Sequence, residues 1–84
     1  MFEIVLEERV IKTDIPKLSK AVRLRVQTVI EQKLTQYPDL FGKPLRYDWR
    51  NHYSGRVGDY RILYRIEGQC VFIVAIQHRK DVYH

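Results

Sequence analysis

Eighty-four residues, with 45% apolar, 30% charged and 12% aromatic side chains, suit one small folded domain over residues 1–84 and exclude a multidomain chain or a disordered tail. Fifteen Lys and Arg against ten Asp and Glu give a formal net charge of +5 and a sequence pI near 9.6, which favours a polyanionic partner. The single cysteine, Cys70, excludes an internal disulfide and fits a reducing compartment. The acidic start, Glu3, Glu7 and Glu8, is unlike a signal peptide, and no apolar run approaches the roughly 18 residues of a membrane span. A cytoplasmic protein with no membrane association is expected.

Phe2, Ile4 and Leu6 alternate with Glu3, Val5 and Glu7, which predicts an opening strand over residues 2–8 with one buried face. Val10, Ile11, Ile15 and Leu18 then recur at helical spacing, and Thr13-Asp14 ahead of Pro16 resembles a helix start, so a short helix broken near Pro16 is expected. From Leu18, the residues Val22, Val26, Val29, Ile30 and Leu34 form one apolar stripe of an amphipathic helix. Ser19 is its expected N-cap and Tyr37-Pro38-Asp39 its stop, because the residue before a proline is biased away from helix. Lys20, Arg23, Arg25 and Lys33 read as the solvated face of this helix.

After a loop at Phe41-Gly42-Lys43-Pro44, glycines bound three strand-like blocks, residues 45–53, 60–66 and 70–76. The turns Val57-Gly58-Asp59 and Glu67-Gly68-Gln69 are short enough to join antiparallel neighbours in a meander. In the middle block Tyr60, Ile62, Tyr64 and Ile66 fall on one face and Arg61, Leu63 and Arg65 on the other, so one face takes the core and the other takes cations. The last block is apolar on both faces, as a central strand should be. The order gives an α+β fold: an N-terminal strand and two helices packed on an antiparallel sheet completed by a C-terminal three-stranded meander.

No phosphate loop, dinucleotide fingerprint, metal-ligand spacing or nucleophilic triad is present, and no metal or cofactor is expected. The cations instead crowd the second half: Lys43, Arg46, Arg50, Arg56, Arg61, Arg65, Arg79 and Lys80. Arg56, Arg61 and Arg79, with His52, His78, Tyr53 and Tyr83, come from strands expected to be neighbours. Such a set suits metal-independent RNA cleavage, in which the substrate's own 2′-OH attacks the adjacent phosphate. The protein then supplies a base, an acid and cations, and arginine's planar fork matches phosphate oxygens. Aromatic rings can stack an unpaired base. Against this stands the plainer reading of strand arginines as solvated cover and of Tyr60 and Tyr64 as core residues. Arg65 also reads as cover, and His52 and His78 read equally as surface residues and as proton shuttles.

Lys43-Pro44-Leu45, the block Arg56-Val57-Gly58-Asp59-Tyr60-Arg61-Ile62-Leu63-Tyr64 and the terminal His78-Arg79-Lys80-Asp81-Val82-Tyr83 together resemble the RelE/ParE superfamily of toxins from bacterial type II toxin–antitoxin modules, over nearly the whole chain. The resemblance implies a RelE-like fold and an endoribonuclease that cuts mRNA in the ribosomal A site. It also implies an acidic, RelB-like antitoxin that wraps a monomeric toxin into a hetero-oligomer. It carries Arg61 over as the contact to the scissile phosphate, Arg79 as a stabiliser of the leaving group or transition state, and Tyr83 as the residue near the 2′-OH and the stacked base. Arg56 becomes a further basic position, and Lys43, Arg46, Arg50 and Tyr53 join it as candidate RNA contacts. The RelE branch has two lysines at about the positions of His52 and Ser54, which makes His52 a candidate base and His78 a candidate acid. A ParE-like inhibitor of DNA gyrase and an inactive antitoxin-binding module are the alternatives.

Overall fold

The computed structural model describes residues 1–46 and 49–81, so the expectations for Tyr83 and for the terminal His84 lie outside the described residues. Five strands form one sheet: β1 (Glu3–Leu6), β2 (Lys43–Pro44), β3 (His52–Val57), β4 (Tyr60–Glu67) and β5 (Cys70–His78). Their order is β1-β5-β4-β3-β2, with β1 parallel to β5 and every other pair antiparallel. The meander and the central position of the last strand are as expected, and β5 lies between β1 and β4 because its apolar residues need cover on both edges and both faces. Among the described residues no helix is long and apolar enough to cross a membrane.

Helix α1 (Lys20–Val29) starts where its cap predicts: the Ser19 Oγ accepts the Val22 N–H at 3.2 Å. It runs on into a wider turn over Ile30–Leu34, closed by the Thr35 N–H on the Ile30 carbonyl. Val26 and Leu34 bury themselves against Ile62, Tyr64, Val71 and Ile73, and Val22, Val29 and Ile30 pack at the margin of the same core. At about 25 cal/mol per Å², this apolar stripe supplies far more than helix propensity does. Pro38 does stop the long helix, but it also opens a single further turn, α2 (Pro38–Phe41), as a first-turn proline can.

Three local expectations are corrected. Asp14 does precede a short helical turn over Ile15–Lys17, but its side chain does not cap it, and it also ends a wide turn over Val10–Asp14. Its side chain is buried, and Oδ2 accepts the Ile76 N–H at 2.9 Å. The reason is β1, which ends at Leu6 and leaves the far half of β5 without a strand on that side. Second, the strand expected over residues 45–53 begins instead at His52 and runs through Gly55 to Val57. Asn51 takes a left-handed φ of 59°, and the His52 N–H closes a turn on the Trp49 carbonyl, so the chain reverses where aromatic content suggested extension. Gly55 is interior to the strand because a Cβ there would run into the Phe41 ring. Third, Lys43 and Pro44 are not loop but strand, paired with Ser54 and Tyr53.

The β4–β5 register shifts once, from Leu63↔Ala75 to Tyr64↔Ile73, leaving Val74 without an opposite residue. This bulge reverses which face each later residue of β5 occupies. Val71 and Ile73 face the helices before it; Ile76 and His78 do so after it. Removing the Asp14 carboxylate strands a buried N–H, so Asp14→Ala should lose about 1–3 kcal/mol in urea unfolding while Asp14→Asn, which keeps an acceptor, loses less than half as much.

Candidate nucleic-acid interface

The placement of the cations begins with Tyr64. Its side chain is fully buried, its ring stacks on Tyr53 at 5.5 Å, and its hydroxyl donates to the Pro38 carbonyl at 2.6 Å while accepting the Gly42 N–H at 2.8 Å. These partners are the first residue of α2 and the residue that follows it, so one hydroxyl fixes that turn and sets Lys43 against Ser54 at the edge of the sheet. Only a glycine fits at position 42, since a Cβ there would approach this hydroxyl to 2.6 Å. Burial, only partly offset by the Gly42 hydrogen bond, pushes the Tyr64 hydroxyl up to about 12.

On the face turned away from the helices, strand register sets Arg56 directly opposite Arg61. Like charges so placed repel, and nothing in the apolar core requires them there. With Lys43, Ser54, Phe41, Pro44 and Leu45 they line a groove of about 410 Å³ that no carboxylate lines among the described residues. The Arg56 Nε is steadied by the Gly58 carbonyl at 2.9 Å. Gly58, at φ 60°, supplies the left-handed residue that the β3–β4 turn needs. Arg79 reaches the same end of the sheet: its N–H donates to the Asp59 carbonyl at 2.8 Å, and its guanidinium stands 4.0 Å from the Asp59 carboxylate. That ion pair is exposed on both sides and contributes little to stability.

Arg65 shows the opposite outcome on the same face. Glu67 and Glu7 both accept from its guanidinium, the latter at 2.7 Å, and it covers the Phe72 ring at 4.2 Å. These two carboxylates hold its pKa above the usual guanidinium range. It is neutralised surface cover, as its sequence context suggested.

The remaining expected site residues are placed elsewhere. His52 shares the Arg65 end of the face, four residues or about 13 Å along β3 from Arg56. Its Nδ1–H donates to the Arg50 carbonyl at 2.7 Å, and its ring meets Trp49 edge-on at 5.2 Å. Arg46 and Arg50 are exposed in the loop ahead of β3 and are not among the residues that line the groove. Tyr53 lies on the helix-covered face, stacked on Tyr64, so its ring is not offered to the cations. His78 is also on the helix-covered face, opposite Tyr60, because of the Val74 bulge; Gln77 faces Arg61 in its place. The structure thus gathers Lys43, Arg56 and Arg61 in one groove, with Arg79 on the adjoining turn; His52 lies farther along β3, His78 and Tyr53 face the helices, and Arg46 and Arg50 are exposed in the loop ahead of β3. The groove walls from Phe41, Leu45 and Ser54 were missed, as was Gln77. Phe41 was read as part of a loop and Leu45 as the start of a strand, neither as a groove wall, and the bulge that turns Gln77 outward has no signature in the run 70–76.

Among the described residues no group of His, Cys, Asp and Glu comes together in a way that could hold a metal ion. The groove's chemistry is that of several fixed donors converging on an anion, the arrangement that complements phosphate oxygens.

Residues 8–83 match the family model described as the ParE toxin of the type II toxin–antitoxin system parDE. The toxin RelG of Mycobacterium tuberculosis (strain ATCC 25618 / H37Rv) is 35% identical over 74 residues, covering 86% of this chain and 85% of the relative. Among solved structures, the RelBE2 toxin–antitoxin complex of M. tuberculosis has a chain that superposes with a TM-score of 0.84 at 30% identity, covering 95% of this chain and 93% of that one. The RelB–RelE antitoxin–toxin complex of Methanococcus jannaschii gives 0.76 at 25% identity, with 95% and 99% covered. A free RelE toxin mutant of Escherichia coli shares the fold at 20% identity, with a TM-score of 0.79 over 96% of this chain and 86% of that one.

The buried Tyr64 hydroxyl gives a pH signature. In the unfolded chain it titrates near 10, in the folded chain near 12, so the native state holds the proton more tightly. Stability that is complete below about pH 10 is therefore lost as the pH rises toward 12. Urea unfolding of Tyr64→Phe should start about 1–3 kcal/mol lower at pH 7 and fall less steeply than wild type across that window; parallel curves would contradict the clamp.

Proposed function

Because the chain belongs to the RelE/ParE superfamily of type II toxin–antitoxin toxins, we propose that it is a metal-independent endoribonuclease that cuts mRNA in the ribosomal A site and so inhibits translation. The observation that carries this reading is the cross-strand pair Arg56–Arg61, which lines one groove with Lys43, with Arg79 tied to the adjoining β3–β4 hairpin. In such a reaction the 2′-OH loses its proton and attacks the adjacent phosphorus. The bond to the 5′-oxygen of the next nucleotide breaks, and that oxygen takes up a proton. The phosphorane passed on the way carries one more negative charge than the diester, and preorganised guanidinium groups stabilise the difference. Arg61 is assigned to the scissile phosphate and Arg79 to the charge developing at the leaving group, with Arg56 and Lys43 binding the flanking backbone.

Of the three candidates for moving protons, His52 lies four residues along β3 from Arg56, and His78 is on the opposite face from Arg61. Proton transfer is therefore assigned to Tyr83, the terminal tyrosine of the family pattern. Tyrosine can serve as such a base where neighbouring cations favour its ionised form.

The partner is an acidic antitoxin segment that folds on the toxin and covers the cations, as the RelBE complexes among its structural relatives suggest. Its affinity should fall as salt is raised, since closely spaced charges dominate the contact; a dissociation constant unchanged between low and high salt would contradict this.

A second reading draws on the family model itself, which is that of ParE: inhibition of DNA gyrase without RNA cleavage. One experiment separates the two. Primer extension on a short mRNA, with and without programmed ribosomes whose A site is empty, should reveal cuts only when ribosomes are present. Arg61→Ala and Arg79→Ala should each slow those cuts by about 30-fold or more, near 2 kcal/mol of transition-state stabilisation, and Tyr83→Phe should slow them as well. No cuts from a folded chain that still halts growth would replace this reading with the gyrase one, and no cuts with no toxicity would indicate an inactive binding module.

A further inference from the structure

Arg79 follows the last strand, outside the sheet's hydrogen-bond ladder, so something must fix its position. The tight turn Arg79–Asp81 has two anchors of known geometry. One is the Arg79 N–H on the Asp59 carbonyl at 2.8 Å, which ties the turn to the β3–β4 hairpin bearing Arg56 and Arg61. The other is His78, whose Nδ1 accepts the Lys80 N–H at 3.1 Å. An N–H partner requires Nδ1 to be unprotonated, so the neutral ring carries its proton on Nε2. The ring plane is set by Tyr60, the cross-strand neighbour, which it meets edge-on at 5.0 Å and 87°. Around it, in a groove on the helix-covered side, stand Arg9, Asp14, Lys17 and Asp81.

On the cleavage reading above, we propose that His78 is a positioning residue for Arg79 and not a proton shuttle: its Nδ1 holds the Lys80 amide and so fixes the turn that brings Arg79 to the Arg56–Arg61 groove. Two observations support it independently. The register puts His78 on the opposite face from Arg61, out of line with any phosphate bound there. And the bond itself, from a side-chain δ atom to the N–H two residues on, is the same closure that Asn and Asp make in turns.

That equivalence supplies the test, because Asn places an amide acceptor where Nδ1 stands, Gln places it where Nε2 stands, and neither shuttles protons. Cleavage on programmed ribosomes and hydrogen exchange at the Lys80 amide are measured for wild type, His78→Asn, His78→Gln and His78→Ala. The expected result is cleavage by His78→Asn within about threefold of wild type with Lys80 still protected, and cleavage at least about tenfold slower by His78→Gln and His78→Ala with Lys80 exchanging faster. A His78→Asn variant as slow as His78→Gln would overturn the inference in favour of proton transfer, and a His78→Gln variant as fast as wild type would overturn any role. Should wild type make no cut, the cleavage reading fails, and the Lys80 amide still decides the positioning: protection kept in His78→Asn and lost in His78→Gln supports it, and equal exchange in all four overturns it.

Discussion

The Tyr64 hydroxyl is the contact on which the cationic groove depends. It lies at the centre of the sheet with no exposed surface, yet its oxygen satisfies two backbone groups at the two ends of α2. A buried carbonyl and a buried N–H each cost on the order of 1–3 kcal/mol when left unpaired, so the segment 38–42 has one low-energy position. Everything at the edge follows from that position. Phe41 settles over Gly55, Lys43 and Pro44 add a short strand beside Ser54 and Tyr53, and the groove acquires its second wall. The core thus determines where a surface lysine stands.

The open face of the sheet holds two groups of arginine with different fates. At one end Arg65 is enclosed by Glu7, Glu67 and the Phe72 ring, and its charge is spent inside the molecule. At the other end Arg56 opposes Arg61, with Lys43 alongside. β1 delivers Glu7 to the first end only, because it is short and pairs with the half of β5 nearest Arg65. The second end sets like charges opposite one another, and an anion bound between them lowers that repulsion.

Strict alternation made the two faces of β4 legible in the sequence, since Tyr60, Ile62, Tyr64 and Ile66 could be buried together only if Arg61 and Arg65 faced out. The Ser19 cap and the apolar stripe from Val22 to Leu34 were legible for the same reason, being local and periodic. What escaped was set by contacts distant in sequence. Asp14 looks like a cap until β1 proves too short to cover Ile76. Gly55 looks like a boundary until the Phe41 ring occupies the space of its missing side chain. The Val74 bulge moves His78 to the helix side and Gln77 to the open side, and a run of apolar residues carries no mark of where such a step falls. Tyr53 illustrates the same limit: its place opposite Tyr64 depends on a register that the turn at Asn51 decides.

The claim that the anion sits at the Arg56–Arg61 end is tested most directly by amide chemical-shift mapping with a short oligoribonucleotide made uncleavable by a 2′-O-methyl group at each position. The account predicts shifts concentrated at Lys43, Ser54, Arg56, Arg61 and Arg79, fading along β3 toward His52. Shifts concentrated instead at Arg46, Arg50 and His52, with the groove unperturbed, would contradict it.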